Sequence, residues 1–412
     1  MTRALVAAAA LALTLAGSPA RAATYYVATT GSDGADGSAA TPWATLQHAA
    51  DTVVAGDTVI VRAGGYAGFD LDGRSGTQAA PITFHGEAGA AITSDNARTD
   101  GINVENASWI VIEGFTVNNR TRAGIRGAVC QHVTFRHNTT DSNGVWGIFT
   151  GHCDDLLIED NVTSRSGTQH GIYVSNSAKR YTVRRNHVWG NGGCGIHNNG
   201  DVSQGGDGVN ANALIEGNVI HDNGTLGGSG INCDGIQDSV IRNNLLYANH
   251  ASGISLYQID GGDASKRNLV VNNTILEASD ARWCVNIADA ATSNTVVNNI
   301  LYNAHSFRGS LVISADSLSG FVSDYNVVMD RLSPDGDSTV LTLASWRTQT
   351  GQDAHSLVAT PAQLFVDPAA DFHLKAGSPA IDVGTSANAP ATDLEDHARP
   401  AGAGVDIGAY EY

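Results

Sequence analysis

Basic residues are scarce in this chain. Twenty-three Lys and Arg stand against 41 Asp and Glu, for a net charge of −18. Phosphate backbones need a basic surface, so nucleic acid is excluded as a partner. Proline is sparse, at 9 residues, and charged residues make up only 16 %. Apolar residues nevertheless recur in register, which excludes disorder. Helical periodicity is nearly absent, so a helical bundle is excluded too. After residue 17 no apolar run is long enough to span a bilayer. The five cysteines are an odd count, which excludes a fully paired disulfide framework.

Glycine is abundant, at 47 residues, and it is ordered. Gly-Ile pairs fall at Gly101-Ile102, Gly124-Ile125, Gly147-Ile148, Gly171-Ile172, Gly195-Ile196, Gly230-Ile231 and Gly253-Ile254. Their steps are 23, 23, 24, 24, 35 and 23 residues. A second beat runs in phase: Asn138, Asn161, Asn186, Asn218, Asn244, Asn273, Asn299 and Asn326. A period in the low twenties with β-prone runs predicts a stacked solenoid. A single coil cannot bury its apolar side alone. A stack buries a continuous core and exposes a long, ridged face that suits a polymer.

Alternation along a strand assigns the faces. Each Ile of the beat points inward. One outward row reads Asn103, Arg126, Phe149, Tyr173, His197, Asn232, Ser255. A second reads Glu105, Ala128, Gly151, Ser175, Asn199, Asp234, Tyr257. The Asn beat marks a bend whose amides pair up the stack. Cys130 and Cys153 lie six residues after Gly124 and Gly147. Equal offsets on neighbouring rungs, ~4.8 Å apart, allow a disulfide. Cys194, Cys233 and Cys284 share no offset and are expected unpaired.

Residues 1–22 read as a cleaved signal peptide: Arg3, an apolar stretch from Ala4 to Gly17, then Ala20-Arg21-Ala22. Its removal takes the net charge to −20 and predicts a secreted or periplasmic protein. Residues 23–100 supply an N-terminal cap and the first coils, with helical spacing at Leu46, Ala49, Ala50 and Val53. Residues 101–330 form regular coils, swollen by insertions at 197–211 and 257–267. Residues 331–412 form the C-terminal coils and cap.

Three stretches resemble the right-handed parallel β-helix proteins of the pectate-lyase-like superfamily. They are Thr24-Tyr25-Tyr26-Val27 with Ala55 to Gly64, the coil repeats, and the closing Gly377 to Asp382, Arg399-Pro400 and Asp406 to Glu411. The resemblance implies an all-β, single-stranded right-handed parallel β-helix with a short N-terminal capping helix and an irregular C-terminal cap. It also implies a secreted bacterial protein of the polysaccharide-active type. Fold does not choose among lyases, hydrolases, epimerases, transferases and adhesins.

The residues near the two insertions narrow the chemistry. β-Elimination on a uronic-acid polymer needs a neutralised carboxylate, a base and an acid. His197 is the expected base and Tyr173 or Tyr257 the acid, with Asp234 beside them. Asn199 or Asn232 would clamp the carboxylate. Arg126, Phe149, His170, His250 and Arg267 are candidate substrate contacts. A Ca²⁺-dependent version would place the cation on Asp201 and Asp207, with Asp234, and use Lys266 or Arg267 as base. The chain lacks a dense Asp cluster, so no cofactor is required by the sequence. A hydrolase would instead pair Asp234 with Asp201, Asp207 or Asp260. A non-catalytic glycan-binding solenoid would use Phe149, Tyr173 and Tyr257 as stacking surfaces. Trp146 and Trp283, at coil boundaries, read as packing residues, and a Cys-based metal site has no close Cys or His spacing behind it.

Overall fold

The computed structural model describes residues 22–412. The expected signal peptide lies outside them, apart from Ala22. The fold is a parallel β-helix. A 22-stranded sheet carries two strands of each coil, and a 12-stranded sheet carries the third. One coil shows the plan: Ile172–Ser175, then Thr182–Arg184, then His187–Trp189.

Register follows the Gly-Ile beat. Ile102, Ile125, Ile148, Ile172, Ile196, Ile231 and Ile254 pair rung to rung, and all are fully buried. Both outward rows stack as alternation predicts. Tyr173 pairs with His197 and His197 with Asn232. Asn199 pairs with Asp234 and Asp234 with Tyr257. Glycine precedes each Ile because neighbouring chains approach closely there. A Cβ at Gly147 would lie 2.6 Å from the Gly171 carbonyl oxygen.

The Asn beat forms an unbroken, buried amide ladder. Each Nδ2 donates to the Oδ1 of the next Asn, from Asn138 through Asn326, at 2.9 to 3.1 Å. The bend itself is made one residue earlier. His137, Asp160, Arg185, Asn243, Asn272, Asn298 and Tyr325 all sit at positive φ. A left-handed L-residue costs roughly 1–2 kcal/mol. The ladder holds each such corner against that cost.

Cys130 and Cys153 face each other across adjacent strands and form a disulfide, with Cα atoms 4.5 Å apart. Cys194, Cys233 and Cys284 are free and buried. The N-terminal helix, Leu46–Thr52, lays Leu46, Ala49 and Ala50 against the first coils, and Thr45 caps it by accepting from His48 N–H. At the other end the helix Leu343–Thr350 drives the fully buried Trp346 into the core.

The C-terminal segment does more than cap. Residues 357–412 run back along the 12-stranded sheet. Phe365, Phe372, Ile407 and Tyr410 cover Leu245, Leu276, Ile300 and Val327 there. The closing motif is its anchor. Arg399 pairs with Glu411 at 2.6 Å, both fully enclosed. It also donates to the Asp406 and Gly408 carbonyls.

The two insertions meet. Val202 N–H donates to the Asp260 carbonyl, and Gly262 N–H to that of Gly208. Together they build one wall along the outward rows.

Candidate active site

The outward face carries a run of aromatic rings. Trp146 lies 4.7 Å from Phe149 by ring centroid, Phe149 5.4 Å from Tyr173, and Tyr173 4.9 Å from His197 in a parallel stack. Trp146 is half-buried and gives its Nε1–H to Gln169, so it belongs to this face rather than to the core. His170 packs edge-on against both Tyr173 and His197.

Two tyrosine–asparagine pairs repeat along the face. Asn199 Nδ2 donates to Tyr173 Oη at 3.1 Å, and Asn232 Nδ2 donates to Tyr257 Oη at 2.6 Å. Each phenol oxygen is thereby an acceptor, and its own proton remains free to be given away. Burial pushes the Tyr173 hydroxyl up to about 12, against the Asn199 bond and aided by the charges of Asp201 and Asp260. Burial raises Tyr257 also, with Asp234 adding to it. Both are protonated acids at neutral pH.

The histidines are ordered by a chain of hydrogen bonds. Cys194 N–H donates to His170 Nδ1 at 3.0 Å, so His170 carries its proton on Nε2. That proton is shared with His197 Nδ1, at 3.0 Å. Neutral His197 then holds its own proton on Nε2. This nitrogen is covered and has no partner. Burial holds His170 down to about 4, and His197 well below the usual histidine range. Both rings are therefore neutral at neutral pH. His197 has no lone pair facing the groove, which corrects the expectation that it is the base.

The acidic and basic candidates are mostly occupied. Asp234 is buried, and its oxygens accept the N–H groups of Ile259, Asp260 and Gly261 at 2.7 to 3.0 Å. Desolvation raises its carboxyl despite those bonds. It ties down the second insertion rather than facing substrate. Asp201 caps the turn Val202–Gln204 through Ser203 N–H. Asp207 pairs with Lys179 at 2.9 Å. Asp201 and Asp207 thus serve separate partners and do not converge on a cation. Lys266 pairs with Asp263 at 2.6 Å, and Arg267 with Asp238 at 2.6 Å. His250 pairs with Asp280, and Arg126 with Glu105 and Asn103. Asp260 differs: it is exposed, and its charge reaches both Tyr173 and Asp234.

A third outward column escaped the sequence reading. It is the residue just before the Gly-Ile pairs from Gly147 onward: Trp146, His170, Cys194, Ser229, Ser252. The spacing Cys194-Gly195-Ile196-His197, with His170 one coil earlier, was its visible signal. Among the described residues this trio is the group whose His, Cys, Asp or Glu donor atoms converge, within 4.8 Å.

A family model described as "Periplasmic copper-binding protein (NosD)" matches residues 82–204 and 206–311, more than half of the chain. The chain belongs to the NosD family. That description names copper, and His170, Cys194 and His197 are donors of the soft and borderline kind that copper takes. Their hydrogen bonds oppose it. The single lone pair of His170 already accepts Cys194 N–H, and the His170 proton occupies His197 Nδ1. The trio does not fit a bound copper ion as it stands.

Several solved structures share the fold of this NosD-family chain. Pectate lyase Pel9A is 16 % identical with a TM-score of 0.65, covering 94 % of this chain and 96 % of its own. An alginate lyase from Paenibacillus sp. str. FPU-7 is 18 % identical with a TM-score of 0.53, covering 70 % and 97 %. A GH136 lacto-N-biosidase from Eubacterium ramulus is 13 % identical with a TM-score of 0.57, covering 82 % and 68 %. The uncharacterized protein YwoF of Bacillus subtilis (strain 168) is 31 % identical over 166 residues. That match spans 40 % of this chain and 28 % of YwoF. Among the described residues no helix is long and apolar enough to cross a membrane.

Proposed function

We propose that this protein is a secreted or periplasmic polysaccharide-active enzyme, a lyase that cleaves a uronic-acid-containing polymer by β-elimination. One observation carries the reading: Tyr173 and Tyr257 are protonated, their oxygens accept asparagine amides, and their own protons are free. They stand on the outward face of a β-helix, beside the wall of two insertions. The fold shared with a pectate lyase and an alginate lyase supports a polymer as substrate.

The steps follow from this placement. The polymer lies along the coils, with Phe149 and Trp146 as apolar contacts. Each asparagine amide has a second N–H to give, so Asn199 and Asn232 bind the uronate carboxylate. Asp260, an exposed carboxylate on the second insertion, takes the proton on the carbon next to the carboxylate. The electron pair forms the C=C bond, the C–O bond breaks, and Tyr173 or Tyr257 protonates the leaving oxygen. The neutral His170–His197 pair supports the Tyr173 ring.

The test is ultraviolet absorbance of the unsaturated product on a panel of uronic-acid polysaccharides, with and without Ca²⁺. A rising trace on one polymer is expected. New reducing ends without that absorbance would replace elimination with hydrolysis.

A further inference from the structure

Basic side chains in this acidic protein are nearly all engaged. Those without an acid partner mostly reach a main-chain oxygen, as Arg62, Arg74, Arg347 and Lys375 do. Arg331 meets only the Met329 sulfur, and Arg282, which is exposed, makes no hydrogen bond or ion pair through its guanidinium among the described residues. It borders a cavity of about 210 Å³ with Trp283, Arg308, Asn286, Ser252 and Asp337.

The register places this cavity on the proposed groove. Asn286 continues the outward row of Tyr173, His197, Asn232 and Ser255, and Ser255 pairs directly with Asn286. Trp283 follows Ser252 in the column that begins at Trp146 and His170. The cavity thus opens on the coil after Tyr257. Neighbouring rungs lie ~4.8 Å apart. A chain held at Tyr257 reaches the cavity within one or two units.

Its chemistry is cationic on balance. Asp337 accepts Trp283 Nε1–H at 3.1 Å and Arg308 Nε–H at 3.3 Å. It fixes both side chains and offsets one of the two positive charges. Asp280, two residues before Arg282, is held by His250. The charge of Arg282 has no acid to oppose it. The Glu105–Arg126 end of the same face is internally paired and lacks such a surplus.

We infer that Arg282 and Arg308, beside Trp283, form an anion subsite that binds the carboxylate of a uronate unit one or two places along from the cleaved bond. This inference rests on the proposed function and adds where and how the acidic polymer is gripped. A guanidinium suits it, since it meets a carboxylate with two parallel N–H donors.

The test is equilibrium binding by calorimetry, using hexamers of galacturonate, of mannuronate/guluronate and of glucuronate, each beside its carboxyl-reduced form. Arg282→Ala should weaken binding of the uronate hexamer about tenfold or more, and leave the reduced hexamer unchanged. Arg282→Lys should recover part of the loss, and Asp337→Asn should tighten binding. Wild-type protein that binds none of the three uronates, or Arg282→Ala binding that equals wild type, overturns the subsite. Cleavage assays on the same oligomers separate the two readings. An Arg282-dependent uronate complex with no cleavage removes the lyase and keeps the subsite. Cleavage that ignores Arg282→Ala removes the subsite and keeps the lyase.

Discussion

Tyr173 and Tyr257 show how one amide changes what a side chain can do. A tyrosine that donates its proton inward is a packing residue. One whose oxygen accepts from asparagine keeps that proton for a ligand. Tyr173→Phe or Tyr257→Phe keeps the ring and removes the proton, so the fold should survive. Lyase turnover should fall roughly 10²-fold or more, measured as initial rates of unsaturated product. Glu277 is a second residue governed by burial. It is fully enclosed, and desolvation raises its carboxyl well above the usual range, against only a weaker opposing pull from Asn249. The folded state therefore binds its proton more tightly than the unfolded chain. Its contribution to stability is complete below the unfolded carboxyl range and is lost as pH rises through the folded value. Glu277→Gln removes the titrating group and should flatten that slope. Urea melts at acid and neutral pH would show it.

The coil, at the next scale up, is held less by any strand than by its corner. Strands of 3 or 4 residues are too short to persist alone, as in Thr182–Arg184. Each corner places a residue at positive φ, an L-residue at every one but Gly217, and follows it with a ladder asparagine. Asn244 donates to Asn273 Oδ1 and the Ile215 carbonyl, and accepts from the amide and backbone of Asn218. Asn244→Ala should leave several of these groups buried and unpaired. A loss of about 3 kcal/mol or more is expected in urea denaturation, with faster amide exchange in the two adjoining coils. A ladder side chain at the surface would not behave this way, because water would replace the missing partner.

The molecule as a whole is a stack in which the strands of each coil pair with those of neighbouring coils, while loops and the C-terminal segment reach further. The C-terminal segment ties coils across long separations. Asn243 reaches the Thr392 carbonyl, and Asn272 reaches those of Asp406 and Gly408. Arg399 and Glu411 are its buried lock. Arg399→Leu leaves Glu411 charged and enclosed without its partner, which should cost about 3–5 kcal/mol. The released segment would uncover Leu245, Leu276, Ile300 and Val327. Increased binding of a hydrophobic dye, with the core β-helix signal retained, is the expected readout.

The Gly-Ile and Asn beats were legible because a solenoid turns sequence spacing directly into neighbourhood. Positions one period apart must stack, so the inward Ile row, both outward rows, the Cys130–Cys153 bridge and the two insertions follow from counting. The candidate site was only half legible for the same reason. Tyr173, His197, Asn199, Asn232 and Tyr257 share a face by period, and that much is local. Which atom holds a proton is not. His197 loses its free lone pair to His170, and Asp234 is taken by backbone from a loop of irregular length. The cavity at Arg282 needs Asp337, which lies 54 residues beyond the Trp283 it holds. The return of the C-terminal segment along the sheet depends on contacts more than 130 residues apart. Periodicity encodes the stack, while hydrogen-bond partners and irregular loops are chosen only once the chain has closed on itself.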